Sequence, residues 1–256
     1  MEQILYRYNP WWEEEYIAEG LIERKLLLQK LEETFSSKQV VFITGLRRIG
    51  KTSLLKLFIH KLINEKNINP RKICFVSLDD YLLDKLSIPE IIDQYRSIHK
   101  LKYSEKIYLF LDEVTYKDDF EIQLKNLIDS QNVKIYATSS SASDIRHKKA
   151  YLTGRQYTIE VLPLTFKEYL EFKNISILKK DKHLEEGYFK DFLKTGGIPE
   201  YVLTENMEYL KKLVDDPYPR PGSGSGGLRR RSARASPIAC AVWSGEATCR
   251  KSSRVG

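Results

Sequence analysis

Along the first 160 residues, short apolar runs alternate with stretches whose apolar positions recur at helical spacing. Val40 to Ile43 is a β-branched run that ends at Gly45. Leu54, Leu55, Leu57, Phe58 and Leu62 then recur with a period near 3.6, so Lys51 to Glu65 reads as a helix, stopped before Pro70. KICFVSLDD (72–80) reads as a second strand and KIYLFLDEV (106–114) as a third. The third is apolar almost throughout, as suits a central parallel strand covered on both faces. VKIYATSS (133–140) and the segment from Arg155 to Leu162 complete a set of five strands. Between them, Ile88 to His99 reads as a helix opening at Ser87, and 118–130 as another capped by Asp118 or Asp119. Upstream, Leu21, Ile22, Leu26, Leu27, Leu31 and Phe35 predict a helical lead-in over 13–35. From Thr165 to Leu213 only helical patterns occur, with a stop at Gly196 and Gly197 and a restart at Pro199.

Strands that alternate with helices predict an α/β fold: a three-layer sandwich on a mostly parallel five-stranded sheet, followed by a small helical subdomain. The expected organisation is a lead-in (1–36), a core (37–162), the helical subdomain (163–216) and a tail (217–256).

Charge changes the picture of the tail alone. The formal net charge is +7, yet residues 217–256 hold eight basic groups against Glu246, and the first 216 residues hold 34 basic and 34 acidic groups. The body contains 26 Lys and 8 Arg, whereas the tail contains 7 Arg and 1 Lys among Gly, Ser, Ala and Pro. That shift reads as an appended or frame-shifted segment; the alternative is a natural basic arm. A neutral body gives no electrostatic argument for strong nucleic-acid binding, although Arg146, His147, Lys148 and Lys149 offer a local basic face. No run approaches the roughly 20 apolar residues of a membrane span, and no leader pattern opens the chain. Cys74 is the one cysteine of the body and sits in an apolar run, where an inert packing role is expected; a cytoplasmic setting fits.

The chemistry concentrates where the first strand meets its helix. Gly45, four residues, Gly50, Lys51 and Thr52 have the P-loop spacing, between a buried strand and a helix start as its mechanism requires. Backbone amides of Gly45, Leu46, Arg47, Arg48, Ile49, Gly50, Lys51, Thr52 and Ser53 would wrap phosphates. Lys51 would reach the terminal phosphates and the Thr52 hydroxyl would bind Mg²⁺. At the end of the third strand, Asp112 would hold Mg²⁺ and Glu113 would orient or deprotonate the attacking water. The alternative for this pair is a strand end that caps a turn. Ser140 is the best candidate on the fourth strand for a hydroxyl that contacts phosphate or water; the alternative is a Ser-rich turn capped through Ser143 or Asp144. Arg155 is a candidate for charge stabilisation, in its own or a neighbouring subunit, or else a surface ion pair. Arg47 and Arg48 face solvent, a partner or phosphates. Trp11 and Trp12 are expected to pack the lead-in on the core rather than stack on a ligand ring, and His60 to sit part-exposed on its helix.

The chain resembles the AAA-family ATPases of the archaeal type. The matching stretches are NPWW (9–12), GLRRIGKTSLL (45–55), FLDEV (110–114), ATSSSAS (137–143), LTGRQYTIEVLPLTFKEYLEF (152–172) and GGIPEYV (196–202). The resemblance implies an AAA+ core with a helical or winged-helix module, ATP or ADP and Mg²⁺ as ligands, and ATP hydrolysis coupled to conformational change. By it, Lys51, Thr52, Asp112 and Glu113 are the nucleotide and metal residues, Ser140 the sensor hydroxyl, and Arg155 a family arginine. Ser139 stands where such relatives usually have Gly. Relatives of this kind continue well beyond the position of Asp216, which implies a missing C-terminal domain. A nucleotide-gated switch on a protein or DNA partner, with little turnover, is the competing function, and a small-molecule kinase a third. Oligomerisation is compatible with all three. No guanine-recognition motif is present, so ATP is the default nucleotide.

Overall fold

The computed structural model describes residues 1–140, 152 and 154–208. Five strands form one sheet: β1 (Val40–Gly45), β2 (Ile73–Ser77), β3 (Ile107–Asp112), β4 (Val133–Ser139) and β5 (Gln156–Val161). All neighbours pair in parallel, in the order β2-β3-β4-β1-β5. The chain therefore leaves β1, crosses to the far edge and returns strand by strand. β4 is wedged between the P-loop strand β1 and the acidic strand β3, an arrangement that local pattern does not contain.

Helices cover both faces. α3 (Lys51–Asn64) lies on one, where Phe58 packs edge-on against Tyr136 and Phe110, whose rings stack 5.1 Å apart. Tyr136 pairs in register with Val41 and Phe110. The next residue of β1, Phe42, points to the other face and meets Phe120 of α5 (Phe120–Ser130). α4 (Ile88–His99) neighbours α5, and α2 (Lys25–Glu33) neighbours α3. α4 starts at Ser87 with a reciprocal capping box to Glu90. The predicted sandwich and its five parallel strands are present.

The lead-in differs from expectation. Of the predicted 13–35 helix only Lys25–Glu33 is helical; Gly20 has φ 69°, the Leu21 amide closes a turn on Ala18, and residues 13–24 are irregular. Leu21 and Ile22 serve a cavity wall rather than a helix face, so their helical spacing is coincidental. A separate helix, α1 (Glu2–Tyr8), runs against β2 and α4 and leads into a 3-10 turn at Pro10–Trp12.

That turn closes the exposed edge of the sheet. β2 is an edge strand. The Asn9 side chain is fully buried: its Nδ2 donates to Phe75 O (2.9 Å) and its Oδ1 accepts from Phe75 N (2.6 Å), so one amide side chain pairs with β2 as a neighbouring strand would. The indole N–H groups of Trp11 and Trp12 both donate to Ile73 O, at 3.2 and 2.8 Å. Core packing of the two tryptophans is thus as expected, and NPWW gains a backbone role. Cys74 is buried on β2, and burial pushes its thiol far above the ordinary range, as an inert packing residue requires.

After β5 come α6 (Phe166–Phe172), a 3-10 segment, α7 (Glu185–Thr195) and α8 (Pro199–Thr204). Leu164, Tyr169 and Val202 form a second small core with Phe166, Leu170, Phe172 and Phe192 around it. The stop at Gly196 and restart at Pro199 fall where predicted. Ser143, Asp144, the basic cluster 146–149, residues 209–216 and the tail lie outside the described residues. Among the described residues no helix is long and apolar enough to cross a membrane.

Candidate phosphate-binding site

The site lies at the carboxyl ends of β1, β4 and β3, the edge where open parallel sheets bind ligands. Two glycines shape its loop. Gly45 is pressed so close to β5 that a Cβ there would sit 2.4 Å from Val161 O. Gly50 takes φ 92° as the N-cap of α3, a conformation that disfavours other residues, and a Cβ there would meet no protein atom. Its role is therefore conformational, and the space beside it belongs to the cavity.

Lys51 opens α3 and is 4% exposed. Its Nζ donates to Gly45 O (3.3 Å), Leu46 O (3.1 Å) and Ser140 Oγ (2.8 Å), and lies 3.6 Å from Glu113 Oε1. Burial pushes its ammonium below the ordinary lysine range, against the upward pull of Glu113 and Asp112.

Asp112 ends β3. Its Oδ2 accepts from Thr52 Oγ1 (2.7 Å), and its Oδ1 accepts from Thr138 Oγ1. Burial raises this carboxyl, and the two hydroxyl bonds partly offset the rise. The next residue, Glu113, leaves the predicted strand: it adopts φ 51° and ψ 50°. A non-glycine residue held there carries strain of about 1–3 kcal/mol. The turn swings its carboxylate off the strand and toward β4. Its amide donates to Thr138 Oγ1 (2.9 Å), and its carboxylate accepts from both the amide (3.2 Å) and the hydroxyl of Ser140.

The wedge position of β4 explains the network. Thr138 and Ser140, at its end, stand between the P-loop and the acidic pair, one on Asp112 and one bridging Lys51 to Glu113. Ser140 is thus brought into the site as the sequence suggested. Thr138 belongs to the same run of hydroxyls that ends the fourth strand, of which Ser140 is the preferred candidate, and it takes a place of its own on Asp112. Ser139 is fully buried with its Oγ 3.4 Å from Thr115 Oγ1.

Arg155 is not brought to this network. It precedes β5, whose start pairs with the start of β1, so it lies at the opposite edge of the sheet, roughly 17 Å of strand away. There it pairs with Asp129, with about half its side chain exposed. His60 is part-exposed on α3 beside Tyr16, as expected.

A cavity of about 420 Å³ opens over the loop. Arg47, Arg48, Gly50, Lys51 and Thr52 line it together with Asp112 and Glu113. Gly20 to Ile22 of the lead-in and Phe172, Pro199 and Leu203 of the helical subdomain also line it. Thr52 and Asp112 also border a smaller cavity of about 280 Å³ beside Tyr8, Trp11 and Lys56. The paired oxygens of Thr52 and Asp112 are hard donors of the kind Mg²⁺ takes together with phosphate and water. Among the described residues no group of three or more His, Cys, Asp or Glu side chains could hold a metal on its own. The residues present fit an ion that a phosphate ligand helps to hold.

A family model for the AAA domain matches residues 37–170. The chain belongs to the AAA+ P-loop NTPases. Two uncharacterized proteins of Methanocaldococcus jannaschii are similar to this AAA+ chain. MJ1637 is 31% identical over 219 residues, 84% of this chain and 41% of that protein. MJ1544 is 28% identical over 197 residues, 75% and 43% respectively. The chain spans less than half the length of these curated relatives. Among solved structures, the Aeropyrum pernix ORC1 protein in complex with DNA is 14% identical, with a TM-score of 0.45 over 73% of this chain and 53% of that one.

Proposed function

We propose that this AAA+ chain binds ATP at the P-loop and hydrolyses it to ADP and phosphate with Mg²⁺. The observation that carries the reading is the single polar network in which Lys51, Ser140 and Glu113 meet at one end of a cavity and Thr52 and Asp112 meet beside them. In this reading the Lys51 ammonium exchanges its bonds to the Gly45 and Leu46 carbonyls for the terminal phosphate oxygens. Thr52 and Asp112 would supply oxygens to Mg²⁺, which would neutralise charge on the phosphates when bound. Glu113 exchanges its Ser140 partner for the attacking water and accepts its proton. Ser140, released, can bond the γ-phosphate. The apolar wall of Leu21, Ile22, Pro199 and Leu203 suits the flat face of a base, and since that wall includes the helical subdomain, phosphate loss can be felt there.

The test is turnover by the wild type, Lys51→Ala and Glu113→Gln. The expected outcome is lost nucleotide binding in the first variant and retained binding with abolished hydrolysis in the second. Unchanged hydrolysis in both would overturn the reading. Tight binding by a wild type with negligible turnover would favour the nucleotide-gated switch instead.

A further inference from the structure

Arg24 caps the start of α2, two residues beyond the Gly20 to Ile22 wall of the cavity, and itself lines that cavity. Its guanidinium grips three acceptors on the way into the helical subdomain. Nε donates to Glu168 Oε1 (2.8 Å), one terminal nitrogen to Glu168 Oε2 (3.1 Å) and the other to Leu162 O (2.9 Å). Glu168 is not a loose surface partner. Its Oε2 also accepts from the amide (2.9 Å) and hydroxyl (3.0 Å) of Thr165, closing the capping box that starts α6. The two side chains are 9% and 15% exposed. Burial pushes the Glu168 carboxyl upward, but the bonds from Arg24 and Thr165 outweigh it and hold the group below its ordinary value. One arginine thus ties the lead-in to the exit of β5 and to the first helix of the subdomain. α6 carries Phe172, and it packs on α8, which carries Pro199 and Leu203; all three residues line the cavity.

We propose that Arg24 and Glu168 are positioning residues for the nucleotide, a clamp that fixes the helical subdomain as the second wall of its pocket. The inference rests on the reading of the cavity given above. The fork geometry makes it specific to arginine, since a lysine offers a point charge and cannot engage both carboxylate oxygens and Leu162 O in one plane. The pair touches neither Lys51 nor Glu113, so it acts on binding through the wall it holds.

The experiment measures binding of a methylanthraniloyl-labelled ATP, by equilibrium fluorescence and stopped flow, for the wild type, Arg24→Met, Arg24→Lys, Glu168→Gln and the Arg24→Met/Glu168→Gln pair. Hydrogen exchange over Phe166–Phe172 in the nucleotide-free protein runs alongside. Arg24→Met is expected to weaken binding on the order of tenfold, mainly through faster dissociation, and to raise exchange in α6. Arg24→Lys should fall between it and the wild type, and the double variant should lose little more than either single one. Should Arg24→Met fail to fold, Glu168→Gln, which can keep the capping box, carries the same comparison. A lowered urea midpoint with unchanged affinity in the variants would make the pair merely structural and overturn the inference. A wild type that binds no labelled ATP would instead remove the reading of the site on which the inference stands.

Discussion

The two edges of the sheet both bury charge, and they do it differently. At the amino-terminal edge Lys134, fully enclosed at the start of β4, gives all its donors to fixed acceptors: Ser37 O, Ser37 Oγ and Gln39 O, each at 2.9 Å. Arg96 is equally committed, to Lys102 O, to the side chain of Gln131 and, more weakly, to Glu105 O. These groups bond mainly to backbone carbonyls of loops, and neither lines the cavity over the P-loop. At the carboxyl edge Lys51, Thr52, Asp112, Glu113 and Ser140 are bonded largely to one another, beside 420 Å³ of open space. A buried charge that bonds loop carbonyls away from that cavity acts as mortar. A buried charge whose partners are other polar side chains on a cavity wall can trade them for a ligand.

That contrast can be broken by experiment. The largest expected effect is on turnover: Glu113→Gln should lower kcat by about 10²–10⁴-fold with labelled-ATP affinity retained. A fall of less than about tenfold, in a steady-state phosphate-release assay, would put the water-activating group elsewhere. The next is on stability. Trp12 is buried, stacks on Tyr95 and bonds β2, so Trp12→Ala should remove about 3–5 kcal/mol in urea unfolding. If the edges are as separate as they look, its nucleotide affinity will not move. Asn9→Ala leaves both the amide and the carbonyl of Phe75 without their partner, for a loss of about 1–3 kcal/mol by the same measurement.

The smallest effect sharpens the amino-terminal side. Burial, aided by Lys106, pushes Lys134 down from 10.5 to about 8. Below that lower value the folded and unfolded chains both hold the proton, and the cost of enclosing the charge is fully felt. As pH rises from about 8 to 10.5, the unfolded chain retains a proton that the folded one has released, so wild-type stability should rise relative to Lys134→Met. Urea midpoints of the two proteins across that window give the slope. A falling difference would reverse the assigned direction.

Local features of the chain were legible in its sequence. The P-loop spacing, the apolar strand that ends in Asp112, the Ser87 cap and the Gly196 stop each depend on neighbours a few residues apart. Assembly was less so. Nothing in residues 133–140 says that β4 slots between β1 and β3, yet that placement is what brings Thr138 and Ser140 between Lys51 and the carboxylates. The Arg24–Glu168 clamp joins positions 144 residues apart, and the pairing of Asn9 with Phe75 spans 66. Such contacts leave no periodic trace. Leu21 and Ile22 misled in the opposite way, since a cavity wall and a helix face both call for apolar residues. Glu113 departs from its strand because its backbone strain serves the position of its carboxylate.

Asn9 carries a consequence for handling the protein. Its single carboxamide stands in for a sixth strand. Shorten the chain past Trp12 and the hydrogen-bonding groups of Phe75 and Ile73 become a ready template for another polypeptide. Fragments trimmed to the matched AAA segment would be prone to self-association through that margin, however intact their P-loop.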